Sequence, residues 1–110
     1  MGTRANIVIK DQCGQCILYR HMDGTPEYTG VSVKQECEDI KQRYGYLFGE
    51  DVANALVKSP EYSVASSIHG DIEYLYIVDC EKETVNAYRV PAWDMTLEEI
   101  AIQKHRVKIP

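Results

Sequence analysis

Residues 5–10, ANIVIK, alternate in character. Ile7 and Ile9 fall on one side of an extended chain, and Asn6, Val8 and Lys10 fall on the other. After the turn DQCGQ, residues 16–21 resume an extended run, with Ile17, Tyr19 and His21 on one face and Leu18 and Arg20 on the other. Two apolar runs around a short loop containing Gly14 predict a hairpin.

Beyond the connector DGTPEYTG the period lengthens. Val33, Cys37, Ile40 and Tyr44 form one stripe of a helix, Ser32 and Gln35 have the form of a capping box at its start, and Gly45 is its natural stop. A shorter helix is predicted over residues 50–57, with Glu50 and Asp51 at its positive end and Val52, Ala53, Leu56 and Val57 on its buried side.

From Ser59-Pro60 the period returns to two. Residues 62–68 alternate, His69-Gly70-Asp71 reads as a compact turn, and residues 72–80 alternate again. Ile72, Tyr74, Tyr76 and Val78 share a face, opposite Leu75 and Ile77. The turn CEKE leads to a further strand, TVNAYRV, so the segment predicts a three-stranded meander. Thr96 and Glu99 form a second capping box, opening a short helix to about residue 104. The expected fold is therefore α+β: one domain over residues 1–110, a mostly antiparallel five-stranded sheet with helices packed on one face, in the order ββααβββα.

Such a sheet leaves one face open, and the aromatic composition bears on what covers it. The chain has eight Tyr, one Phe and one Trp. A closed core prefers Phe, because a buried hydroxyl needs a partner. Tyr74, Tyr76 and Tyr88 are thus candidates for an amphipathic interface on the open face, with a second copy of the chain as the first partner. Ordinary cross-strand tyrosine packing is the alternative.

Charge and cysteine usage narrow the function classes. Twelve basic and seventeen acidic residues give a net charge of −5, with no basic run to grip a phosphate backbone, so direct nucleic-acid binding is not expected. The acidic residues are scattered, as a solvated surface requires. No apolar run reaches the ~18 residues of a membrane span, and no secretory signal opens the chain, which points to a cytoplasmic protein without membrane contact. Cys13 and Cys16 form a Cys-x-x-Cys pair, but in a hairpin loop rather than at a helix N-terminus, and Cys37 and Cys80 stand alone. They read as thiols of a reducing compartment, so no metal or other cofactor is expected. A metal knuckle completed by Cys37, Cys80 or a His, or a redox pair, are the alternatives.

No phosphate loop, nucleophile elbow or HExxH motif is present, and no catalytic residue is assigned. The chemistry with most company is YRHMDGTP, residues 19–26. There Asp23 could fix a tautomer of His21 for ligand binding or acid–base work. The same residues could instead build a corner: Asp23 capping a turn, Gly24 permitting a left-handed backbone and Pro26 fixing the exit.

GTRANIVIKD, followed after the hairpin by YRHMDGTPE, resembles a family of small uncharacterised proteins of phages, prophages and mobile elements. Members open with a T-R-A-x-I strand and carry a Y-x-H-x-D-G-x-P-E segment. The resemblance implies a setting rather than a reaction: binding to host or defence proteins, often as an oligomer, or sequestering a small molecule. The positions it marks are Thr3, Arg4, Tyr19, His21, Asp23, Gly24 and Pro26. The expectation is a non-enzymatic accessory protein acting by protein binding as a homo-oligomer. The alternative is a small-ligand or nucleotide-binding protein, or a weak hydrolase, centred on His21, Asp23 and Arg4.

Overall fold

The structure, a computed structural model, describes residues 2–110. Strands β1 (Ala5–Asp11) and β2 (Gly14–Arg20) form the expected hairpin, in register from Ala5 opposite Arg20 to Asp11 opposite Gly14. Helices α1 (Val31–Tyr44) and α2 (Gly49–Val57) follow, then β3 (Tyr62–Ala65), β4 (Tyr74–Asp79), β5 (Thr84–Arg89), the short helix α3 (Leu97–Ile100) and a two-residue strand β6 (Arg106–Val107).

The class is α+β as expected, but the sheet has six strands, is mixed, and runs β3-β2-β1-β4-β5-β6. The meander expected over residues 62–90 does not form. β3 pairs antiparallel with the outer edge of β2, and β4 pairs parallel with the opposite edge of β1. Residues 66–73 are therefore a crossover passing over β2 and β1, and only β4 and β5 make a hairpin. Alternation sets which side chains share a face; it carries no information about which edge a strand joins.

The crossover also closes the face expected to be open. On one face Ile7, Ile9, Leu18, Tyr76 and Val78 pack against Val33, Cys37 and Ile40 of α1 and Val52 and Leu56 of α2. On the other, Val8, Ile17, Leu75 and Ile77 pack against Ile68 and Ile72 of the crossover, Met95, Leu97 and Ile100. This second layer explains why β1, at the centre, is buried on both sides through five consecutive residues.

The helix ends follow local chemistry. Gly45 ends α1 with φ 80° and donates to the Lys41 carbonyl at 2.8 Å, a left-handed cap that glycine adopts without strain. Thr96 and Glu99 form the predicted capping box. The Ser32–Gln35 box does not form, because a π-helical turn, Pro26–Gly30, runs straight into α1 and its Pro26 carbonyl already accepts from the Val31 N–H. Asp11 caps α2 from the sheet: its carboxylate accepts from Gly49 N–H at 2.9 Å and Cys13 N–H at 2.8 Å. Those bonds hold its pKa below the usual carboxylate value.

Candidate functional site

Tyr19 leaves β2 on the crossover face, where the His69 ring stacks on it at 3.9 Å between centroids and 22° between planes. The stack is set from below by Asn6, which is fully buried. Its amide donates to the Leu18 carbonyl at 2.8 Å, and its Oδ1 accepts from the His69 N–H at 2.7 Å. Arg4 Nε lies 3.3 Å from Asp71 Oδ2, with its guanidinium beside Tyr19. Burial raises the Tyr19 pKa, the Asp71 charge adds to this, and Arg4 opposes it. His21 is exposed, its ring 6.4 Å from that of Tyr19. The structure thus gathers Arg4, Tyr19 and His21, and adds His69 and Asp71, which the sequence offers only as turn residues. Asp71 Oδ1 is buried without a hydrogen-bond partner among the described residues.

Asp23, Gly24 and Pro26 do different work. Asp23 has φ 59°, and its carbonyl accepts from the Thr29 hydroxyl at 2.7 Å. Gly24 donates to the Thr3 carbonyl at 2.9 Å, and a Cβ there would stand 2.8 Å from both Ala5 Cβ and the Thr3 oxygen. Pro26 is buried and opens the turn into α1. Arg20, also buried, faces the helices. It donates to the Met22 carbonyl at 2.8 Å and the Tyr62 hydroxyl at 2.9 Å, and pairs with Glu61 at 3.0 Å. The segment 19–26 therefore splits. Its second half is a corner in which Gly24 packs directly against Thr3 and Ala5 at the start of β1.

The three strand tyrosines do not form one surface. Tyr76 is fully buried on the helix face, its hydroxyl donating to the Gly24 carbonyl at 2.6 Å, and burial pushes its pKa up. Tyr74 is half-buried on that same face. Tyr88 lies opposite, half-buried in the crossover layer beside Leu75. Because both faces are covered, tyrosine excess in the strands does not translate into an open tyrosine face.

Three exposed aromatics gather elsewhere, while Tyr28 and Trp93 are exposed apart from them. Tyr44, Tyr46 and Phe48, at the α1–α2 connection, are each about half exposed, with successive ring centroids 6.1 Å and 4.7 Å apart. The periodicity assigns Tyr44 to the buried stripe of α1; in fact that stripe ends at Ile40, and Tyr44 turns outward. The run YGYLF carries the signal, since Tyr44, Tyr46 and Phe48 alternate with Gly45 and the buried Leu47. Phe48 and Leu47 border a cleft of about 250 Å³, across from Gln12 and Cys13 at the hairpin tip. Arg43 sits 6.0 Å from the Tyr44 ring centre at one end of the ladder, and Glu50 and Asp51 follow Phe48 at the other.

The four cysteines are free. Cys13 is exposed and Cys16 half-buried, whereas Cys37 and Cys80 lie in the core, where burial pushes their pKa values up to about 12 and about 11. Among the described residues no three of His, Cys, Asp and Glu gather as a metal site would need, so Cys37 and Cys80 do not complete a knuckle with Cys13 and Cys16. No helix of the described residues is long and apolar enough to cross a membrane. Compared with known protein families, curated proteins and solved structures, the chain matches none.

Proposed function

We propose that the protein is a non-enzymatic, cytoplasmic accessory protein of the phage or mobile-element type that acts by protein binding as a homo-oligomer. The observation that carries this reading is the ladder Tyr44–Tyr46–Phe48: three contiguous rings held half out of the core at a helix–helix turn. Exposed aromatic patches of this kind, rimmed by polar residues, suit protein contacts. The phage setting rests on the resemblance of the N-terminal segments, and a host or defence protein is the further partner it implies.

A second copy is the occupant the charges favour. Arg43 stands at one end of the ladder and Glu50 and Asp51 at the other. A two-fold axis through the middle ring would lay two ladders antiparallel, with each Arg43 beside the other copy's Glu50 and Asp51. Arg43→Glu and Glu50→Lys should each weaken self-association, and the double variant should restore it. Association unaffected by either single change would remove the ladder as the contact.

A second reading, expected around His21, Asp23 and Arg4, is a small-ligand or nucleotide-binding protein, or a weak hydrolase, at the corner of Arg4, Tyr19, His21 and Asp71. The orphaned Asp71 Oδ1 favours it, since a buried acceptor is costly to leave unmatched. Ligand-induced thermal stabilisation that disappears in a folded His21→Ala variant would support it.

A further inference from the structure

A groove of about 450 Å³ opens at the β5–β6 end of the sheet, the end opposite β3. Its origin lies in the strand pairing. β6 meets β5 only at Val107 opposite Ala87 and Arg106 opposite Tyr88. Past Val107 the C-terminal chain leaves β5, and the groove forms between residues 85–86 and 108–109, beneath the first turn of α1. Val85, Val107 and Ile109 supply its apolar lining, beside a larger polar part.

The walls are what distinguish it. They carry Lys34, Arg106 and Lys108 with the amides of Asn86 and Gln103, and among the described residues no carboxylate lines the groove itself, Glu38 and Glu83 lying in the adjoining cleft beyond Lys34 and Val85. That is unusual in a chain of net charge −5, where acidic residues outnumber basic ones. None of the three cations is ion-paired among the described residues; the ion pairs there join Arg4 to Asp71, Lys10 to Asp79, Arg20 to Glu61 and Lys41 to Glu83. Arg106 is aimed by a hydrogen bond of 2.6 Å to Asn86 Oδ1, which leaves the rest of its guanidinium fork free. Lys34 of α1 and Arg106 and Lys108 of the C-terminal segment line the same groove, so an anion held there would meet positive charge from two elements.

We infer that this groove binds a phosphate-bearing small molecule of up to nucleotide size. Lys34, Arg106 and Lys108 take the phosphate, and the rest of the molecule lies along Val85, Val107 and Ile109. The volume falls within the range of about 300–1,000 Å³ found for small-ligand sites. An arginine fork with flanking lysines matches phosphate oxygens, as point charges alone do not. This site is separate from both the aromatic ladder and the Arg4 corner, and it stands whichever reading of those holds.

The test is NMR or calorimetric titration of the full chain with pyrophosphate, adenosine 5′-monophosphate and adenosine, at low and high salt. The two phosphates should bind and adenosine should not, with affinity falling as salt rises. The exposed changes Lys34→Gln and Lys108→Gln, which remove no packing, should each weaken binding several-fold, and together by more than about tenfold. Adenosine binding as well as its monophosphate would overturn the inference, as would no binding of either phosphate at millimolar concentration. Phosphate binding unchanged by the lysine double variant but lost in Arg4→Gln would move the site to the Tyr19 corner and equally refute the groove.

Discussion

The Tyr76 hydroxyl donates to the Gly24 carbonyl at 2.6 Å, tying the centre of β4 to a corner 52 residues earlier in the chain. Around that bond, Gly24 donates to Thr3 and lies too close to Ala5 for any side chain. The motif that first suggests chemistry, H-x-D-G-x-P, is thus largely occupied in joining the first strand, the entry to α1 and the middle of the sheet.

Gly24→Ala should accordingly destabilise the fold by about 1–3 kcal/mol through overpacking against backbone and Ala5. Tyr76→Phe should cost about 1–3 kcal/mol, because it strands a buried carbonyl. Urea unfolding measures both. Gly24→Ala with unchanged stability would mean that this approach is looser than described.

Asn6 is the polar group inside the crossover layer, and its two bonds fix His69 over Tyr19. Asn6→Ala should destabilise the chain by about 1–3 kcal/mol and release the loop. Amide exchange should then accelerate at residues 66–73 more than in β4 or β5. Equal acceleration everywhere would argue against a local latch.

The contrast between these elements shows what could be read from the sequence. Periodicity located α2, the β1–β2 and β4–β5 hairpins and the Thr96–Glu99 box, because each depends on neighbours a few residues apart. It could not say that β3 joins β2 while β4 joins β1, since edge choice is decided by contacts such as His69 with Asn6, 63 positions apart. The same gap hid the second covering layer, and with it the burial of Tyr76. At the corner, Arg4, Tyr19 and His21 were legible as a group, but Asp71 and His69 reach it only through the crossover. The cationic groove was illegible for a similar reason: Lys34 and Lys108 are brought together by α1 and by a tail that leaves the sheet.

Thiol reactivity should follow burial. An aromatic disulfide reagent at neutral pH should label Cys13 quickly and Cys16 more slowly, with Cys37 and Cys80 reacting only on unfolding. Fast labelling of all four in the folded chain would contradict the packing of α1 on the sheet.

Stability should fall on the alkaline side for the same reason. Folding raises the thiol pKa of Cys37 to about 12 and of Cys80 to about 11, against roughly 8.5 in an unfolded chain. The folded state then holds protons that the unfolded state has lost. This contribution is fully present below the unfolded pKa and is lost as pH rises through the window up to those folded values. Between pH 8.5 and about 10, before the tyrosines titrate, the urea midpoint should decline, and the decline should be shallower in Cys37→Ala. An identical slope in that variant would assign the effect to other groups.

The binding reading is tested most directly by the mass of the protein in solution, measured by light scattering over a wide concentration range. The account predicts a species heavier than the 12.5 kDa chain, returned to that mass by Phe48→Asp with secondary structure intact. A wild-type protein that stays at 12.5 kDa at high concentration would contradict self-association through the Tyr44–Tyr46–Phe48 ladder.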